Sequence, residues 1–515
     1  MERLERAQRS PRMLVLGLDA ADAGLIEKWS DEGMLPTFDF LRKEGVSVSF
    51  RHDGPMPSAS VWPSIYTGTQ PGKHGIYNGL PIKLGQQAVD FIKPSECAQP
   101  PFWQVLDRYG KHSIIIDVPF NYPLREFGGV QVLDWGTYER HYDAHSLPGE
   151  ILTEISNRFG AYPFGSEMTR NVPTRARHLQ RVRRQLLAGV ALKGRVIRWC
   201  VSERPWDFLM AVFCETHPAG HYFWSSYSNG QGESPLAGHP EFTTTIQDVY
   251  RAIDEQIAGI MAELDRGITL LVLSGQGMGP NFANWHLIPE VLSRLGLLVA
   301  KSQNGRAPTN WLEELRDLIP LGWRRSVTRY LPASLRDHLR LYHANSRIDW
   351  KQTRAFHLPT DLFGYIRINL KGREPLGIVE PGSEYDDICS RISEALKGLV
   401  NPHTGKRIVQ EIFHTDRLFP GPQRERLPDL IVAWEDEPLV NGAYSEEIGR
   451  LQGTSPDPRS GNHKPQGFGI FHGPGIKKQK AAEAHVVDIA PTILKYFGLK
   501  SPSDCDGRPL TDVFS

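Results

Sequence analysis

The sequence predicts an α/β protein built on a largely parallel central sheet flanked by helices. Three observations carry that expectation: short apolar runs recur along the chain, each ends in a polar or glycine-rich loop, and helix-like stretches lie between them. With 515 residues, 40% hydrophobic and 23% charged, the chain has apolar material for a large folded core.

The first run, Met13 to Leu18, ends at Asp19 and leads into the helix-like AGLIEKWSDEG. The pattern returns at Ser113 to Val118 (SIIIDV), at Asp207 to Phe213 (DFLMAVF) and most clearly at Ile268 to Ser274 (ITLLVLS). In parallel sheets ligands bind beyond the carboxyl ends of the strands, so the residues just after these runs are where chemistry is expected. Two stretches differ in texture. The segment around 140–200 contains RHLQRVRRQLLAGVALKGRVIRW, a basic amphipathic helix, and the segment 304–349 is rich in Arg, Trp and Pro. Both read as helical insertions forming a cap on a single domain of residues 1–515. The basic helix reads as a solvated outer face with Leu and Val turned to the core. Strand-like patterns in FGYIRINL and LPDLIVAW predict that the chain then returns to the same core.

Lys plus Arg and Asp plus Glu balance at 59 each, so no global field draws the chain to nucleic acid or an anionic membrane, and phosphate recognition must be local. The charged start MERLERAQRSPR runs directly into MLVLGL, with no signal-peptide core and no apolar stretch of roughly 18 residues to span a bilayer. A cytoplasmic location is expected. Five scattered cysteines, with no Cys-x-x-Cys spacing, argue against a disulfide framework and a cysteine–zinc site.

The stretch PMPSASVWPSIYTGTQPGKHGIYNG, from Pro55 to Gly79, is the most informative. Together with LGLDAAD before it, and GNHKPQGFGIFHGPGI and HVVDIAPTILKYFGL downstream, it resembles the type I phosphodiesterase and nucleotide pyrophosphatase branch of the alkaline phosphatase superfamily. The resemblance covers most of the chain and implies an alkaline-phosphatase-like fold. It implies Asp19, after the first strand, as a metal ligand and Ser58, upstream of Thr67-Gly68, as nucleophile. It also implies Asn78 as a donor to a phosphate oxygen, a role that competes with that of a turn residue before Gly79. Ser60 is the rival nucleophile. His74 reads as structural. A serine hydroxyl is a poor nucleophile at neutral pH unless a metal or base activates it, and phosphoryl transfer needs cations to offset charge on the phosphoryl oxygens.

In FCETHPAGHYFW the family places an Asp and a His four residues apart on one metal; here those positions hold His217 and His221. Histidines at i and i+4 share a helix face, and neutral imidazole suits zinc, manganese or iron. His463, in GNHKPQG, matches the family's last metal-binding histidine. The three would form one centre of a known catalytic type, provided a coordination position stays open. Glu215 is a candidate to replace the missing carboxylate and equally a cap at the strand end. His472 is assigned to packing or surface. The fourth segment departs from the family: after ITLLVLS it reads Asp-His-Gly-Met, where this chain has Gly275-Gln276-Gly277-Met278. Gly275 has no side chain to coordinate and Gln276 offers only a neutral amide, so a second site lacks two expected ligands. His286, just beyond, reads first as a helix-start histidine with no role and second as a substitute ligand.

The expectation is a metal-dependent hydrolase or transferase acting on a small-molecule phosphate ester or related ester, with one tight metal site, through a phospho-Ser58 intermediate or by direct attack of water activated at the metal. The rival is a catalytically degenerate relative that binds a phosphorylated ligand or partner.

Overall fold

A computed structural model describes residues 11–514 apart from 53, 139, 165–174, 229–239, 302–347, 361 and 479–481. The central sheet has nine strands: β1 Arg12–Leu18, β2 Val46–Phe50, β3 Ser113–Ile116, β4 Val130–Leu133, β5 His145–Leu147, β6 Phe208–Phe213, β7 Ile268–Ser274, β8 Gly467–His472 and β9 Ala482–Ala484. Their order across the sheet is β9-β2-β8-β7-β1-β6-β3-β4-β5. The β7-β1-β6-β3-β4 block is parallel, whereas β8 runs antiparallel between β2 and β7, and β5 is antiparallel to β4. The four apolar runs read from the sequence are thus β1, β3, β6 and β7, four strands of that block.

The alternation of side chains along these strands divides the core in two. Leu14, Leu16 and Leu18 of β1, Leu209, Ala211 and Phe213 of β6, and Leu270 and Val272 of β7 face one side. There they meet the helices Ala23–Asp31, Pro36–Glu44, Ala176–Glu203 and Thr245–Glu263. Met13, Val15, Phe208, Met210, Val212, Leu271 and Leu273 face the other side, covered by the helices Val61–Thr67, Trp103–Arg108 and Ile489–Tyr496. Strands buried on both faces read as continuous apolar runs, which is why they stand out in the sequence.

The segment 140–200 contributes β5, the helix Glu150–Phe159 and most of the helix Ala176–Glu203. That long helix buries Leu179, Val182, Leu186, Val190, Val196 and Ile197 and packs along Thr245–Glu263 and over β6. It lies on the sheet as one of its covering layers. The second expected insertion, 304–349, lies outside the described residues except for its last two.

FGYIRINL and LPDLIVAW supply two strands of a separate four-stranded antiparallel sheet, ordered Val409–His414, Leu430–Trp434, Gly364–Ile368, Ala355–Leu358. One face, with Phe356, Leu358, Tyr365, Ile431 and Ala433, rejoins the core beneath the main sheet. The other, with Ala355, Ile366, Ile368, Leu430 and Val432, packs on the helices Ile288–Arg294 and Ser383–Lys397. Among the described residues no helix is long and apolar enough to cross a membrane. All five cysteines are unpaired thiols.

Candidate active site

The carboxyl ends of β7, β1 and β6 lie side by side, and the polar residues after them converge. The Asp19 amide donates to the Phe213 carbonyl at 2.9 Å, and the Thr216 hydroxyl donates to the Asp19 carbonyl at 2.6 Å. These bonds hold the start of the helix Thr216–Tyr227 against the end of β1. On its first turns, His217 and His221 share a face.

His463 arrives from far downstream on the strand Gly461–Lys464, which pairs antiparallel with Gly277–Pro280. Two glycines permit the approach. A Cβ on Gly461 would stand 2.3 Å from the Gly220 carbonyl oxygen, and one on Gly220 would stand 2.3 Å from Met278 Cγ. Gly277 and Met278 therefore build the support for His463. Among the described residues, His217, His221 and His463 form the group of metal-ligating side chains whose donor atoms lie within 4.8 Å of one another. All three are buried.

The hydrogen bonds around this cluster fix which nitrogens face inward. His217 Nδ1 lies 2.7 Å from Asp19 Oδ2, and His221 Nδ1 lies 2.7 Å from the Gly461 carbonyl oxygen. A carboxylate and a carbonyl can only accept, so each Nδ1 is the donor and each neutral ring keeps its lone pair on Nε2. The two Nε2 atoms face each other at 2.9 Å. Burial, then the positive charge of Arg459 and the two neighbouring histidines, holds His221 well below its ordinary pKa, so it stays neutral. Two Nε2 atoms turned toward one another, with outer partners holding both rings, are the donor set a transition metal takes.

Asp19 stands behind His217. Its Oδ2 takes the His217 N–H, and its Oδ1 takes the Trp62 indole N–H at 2.8 Å. The expectation of direct metal ligation thus meets a carboxylate whose two oxygens each already hold a donor. Ser58 opens the short turn Ser58–Ser60 that leads into the helix Val61–Thr67, four residues before the Trp62 that touches Asp19. Ser58 is half-buried, whereas Ser60 is fully buried and donates to the Ile76 carbonyl at 2.7 Å. Asn78 Nδ2 donates to the Pro359 carbonyl at 2.5 Å and its Oδ1 accepts from the Leu80 amide at 3.3 Å, so both ends of the amide serve the turn and the neighbouring sheet.

The substitutes for missing ligands are engaged elsewhere. Glu215 is fully buried, accepts from the Tyr162 hydroxyl and is pushed up in pKa by burial. His286 Nε2 bonds to the Val440 carbonyl at 2.9 Å, in the layer of the second sheet. His74 pairs with the Ser64 hydroxyl at 3.0 Å and is pushed down to about 3 by burial, as expected of a structural histidine. His472 packs on Phe40 at the end of β8. At Gly275, a Cβ would stand 2.3 Å from Val61 Cγ1 and 2.8 Å from Ile65 Cδ1. The space a longer side chain would need is filled with hydrocarbon.

Three site residues escaped the sequence reading. Trp62 is one. The Tyr138 ring lies 4.5 Å from that of His217 and 5.9 Å from that of His221. Arg459 is clamped by Asp457, its Nε 2.9 Å and its Nη2 2.7 Å from the carboxylate oxygens, and its Nη1 reaches to 3.4 Å from His221 Nε2. Arg459 stands four residues before His463, and that proximity was its one visible signal.

The family described as type I phosphodiesterase / nucleotide pyrophosphatase matches residues 13–465, from β1 to just past His463. The chain belongs to that family. That family is one of phosphodiesterases and nucleotide pyrophosphatases, hydrolases of phosphate esters. No curated protein matches the sequence. Among solved structures, the alkaline phosphatase PafA is 13% identical with a TM-score of 0.55, over 98% of this chain and 99% of that one. Murine ectonucleotide pyrophosphatase / phosphodiesterase 5, solved as an inactive variant in complex with AMP, is 14% identical with a TM-score of 0.50, over 98% of this chain and all of that one. At such identities the likeness shows the fold, which agrees with the alkaline-phosphatase-like architecture expected above.

Proposed function

We propose that the chain is a metal-dependent phosphoesterase with a single catalytic cation, bound by His217, His221 and His463, and with Ser58 as nucleophile. The observation that carries the reading is the 2.9 Å approach of the His217 and His221 Nε2 atoms, both rings being locked from behind as Nδ1 donors. Zinc fits three neutral imidazoles; manganese and iron are the alternatives. When bound, the cation supplies positive charge against the charge developing on the phosphoryl oxygens.

The remaining steps belong to the chain. Arg459, oriented by Asp457, donates from Nη1 to a phosphoryl oxygen of the substrate and fixes its angle of approach. Ser58 Oγ attacks phosphorus as the ester bond to the leaving group breaks. The hydroxyl proton is released, and the departing alkoxide takes up a proton from solvent. Water or an acceptor alcohol then displaces Ser58 and regenerates its hydroxyl. Tyr138 packs on the His217 ring and limits its rotation. The AMP-bound relative makes a nucleoside phosphate ester a reasonable first substrate to try.

The test is release of an aryl alcohol from an activated aryl phosphodiester by the purified protein, before and after chelation and after zinc is restored. Turnover that stops on chelation and returns with metal is the expected result. Turnover indifferent to chelation contradicts the metal reading, and none at any metal loading favours a ligand-binding relative.

A further inference from the structure

Asp19 is a buried carboxylate at the end of the central strand, and what surrounds it is unusual in one respect. Its Oδ1 is met by the N–H of an aromatic ring, Trp62 Nε1, at 2.8 Å. That contact is built into the sheet. Trp62 lies across β1 at Gly17, two residues before Asp19, where any Cβ would stand 2.6 Å from Trp62 Cη2. On the neighbouring strand end, Val61 and Ile65, from the same short helix as Trp62, occupy the place of a side chain at Gly275. One turn of helix thus both caps Asp19 and closes the adjoining space.

We infer that Trp62 is a positioning residue that does the work of a second cation: its indole N–H holds the Asp19 carboxylate, which in turn holds His217 with Nε2 facing inward, and Val61 and Ile65 exclude any ion from that side. The physical argument is a chain of single donors and acceptors. An indole N–H can only donate, an ionised carboxylate can only accept, and a neutral imidazole that donates its N–H from Nδ1 must present its lone pair at Nε2. Outer partners of this kind orient a histidine ligand, and their loss typically weakens metal binding by about 10- to 100-fold. The inference rests on the three-histidine reading above and goes beyond it by assigning the residue that sets the geometry and the stoichiometry.

Cobalt(II) titration followed by its visible absorption tests this without any turnover assay. Trp62→Phe keeps an aromatic ring beside β1 and removes the donor, and Asp19→Asn keeps the shape and removes the charge. Each is expected to weaken cobalt binding about 10-fold or more, and the two together no more than Asp19→Asn alone, because they act in series. In Gly275→Asp the number of ions bound is expected to stay at one. Wild-type affinity in a folded Trp62→Phe, additive losses in the double variant, or a second ion in the wild type or in Gly275→Asp would each overturn the inference while leaving the histidine site standing. If Trp62→Phe does not fold, Asp19→Asn and the wild-type stoichiometry decide. A wild type that binds no cobalt sinks the three-histidine reading and this inference with it.

Discussion

Two of the regions that bury ionisable side chains resolve the cost of burial in opposite ways. In the second sheet, Asp429 receives Arg373 Nη1 and Nη2, both at 2.7 Å, the Ile368 amide at 2.6 Å and the Tyr385 hydroxyl at 3.1 Å. Glu374 receives both Arg367 and Arg373. Burial alone would raise Asp429, yet the guanidinium groups of Arg373 and Arg367 more than offset it and hold the carboxyl below its ordinary value. Every charge there meets its opposite. At the ends of β1 and β6, by contrast, two imidazole Nε2 atoms point at each other, and the Arg459 N–H reaches one of them only at 3.4 Å, beyond ordinary hydrogen-bond length. Buried polarity that closes on itself is architecture. Buried nitrogens that converge, each held in place from behind, make a site.

The comparison breaks most visibly at Ser58. Ser58→Ala should lower turnover of an activated aryl phosphodiester by several orders of magnitude at matched metal content, whereas Ser60→Ala should cost about 1 kcal/mol of stability through the lost bond to Ile76 and little turnover. Near-wild-type turnover in Ser58→Ala would end the covalent mechanism. Next in size is the architectural side. Arg373→Ala strands Asp429 in a buried site and should destabilise the fold by about 3–5 kcal/mol in denaturant titrations, with metal content per folded chain unchanged. Metal loss in that variant would show that the two regions are not separate.

His217→Ala should do the reverse, lowering metal affinity about 10-fold or more, with a smaller stability cost of about 1–3 kcal/mol because Asp19 loses one of its donors. Unchanged metal content in the folded variant would remove His217 from the site. The smallest effect is expected at Arg459, where Arg459→Ala should lower kcat/KM about 10-fold, the worth of one charge-assisted hydrogen bond. An unchanged kcat/KM would place Arg459 outside substrate binding.

The sequence made the fold legible where one physical rule dominates. β1, β3, β6 and β7 are buried on both faces, so each appears as an apolar run and its end marks where chemistry belongs. Strands of the second sheet also read as strands, but their pairing with one another did not, because antiparallel partners such as Tyr365 and Ile431 lie far apart in the chain. At the site, the i, i+4 spacing exposed His217 and His221, and family likeness supplied His463. What stayed hidden was the layer behind them. Whether Asp19 turns to a metal or to an indole depends on Trp62 crossing Gly17, and whether Arg459 reaches His221 depends on the close approach of Gly461 to Gly220. Neither contact leaves a periodic trace. Asn78 was visible, but its partner Pro359, on which its engagement depends, was not.

The central claim is one metal centre made of three histidines, and elemental analysis of the purified chain after extensive dialysis tests it most directly. The account predicts close to one equivalent of transition metal per chain, lost when His217 and His463 are both replaced by Ala. Zero equivalents in the wild type would contradict the metal centre, and two would contradict a site closed on its Asp19 side by Trp62.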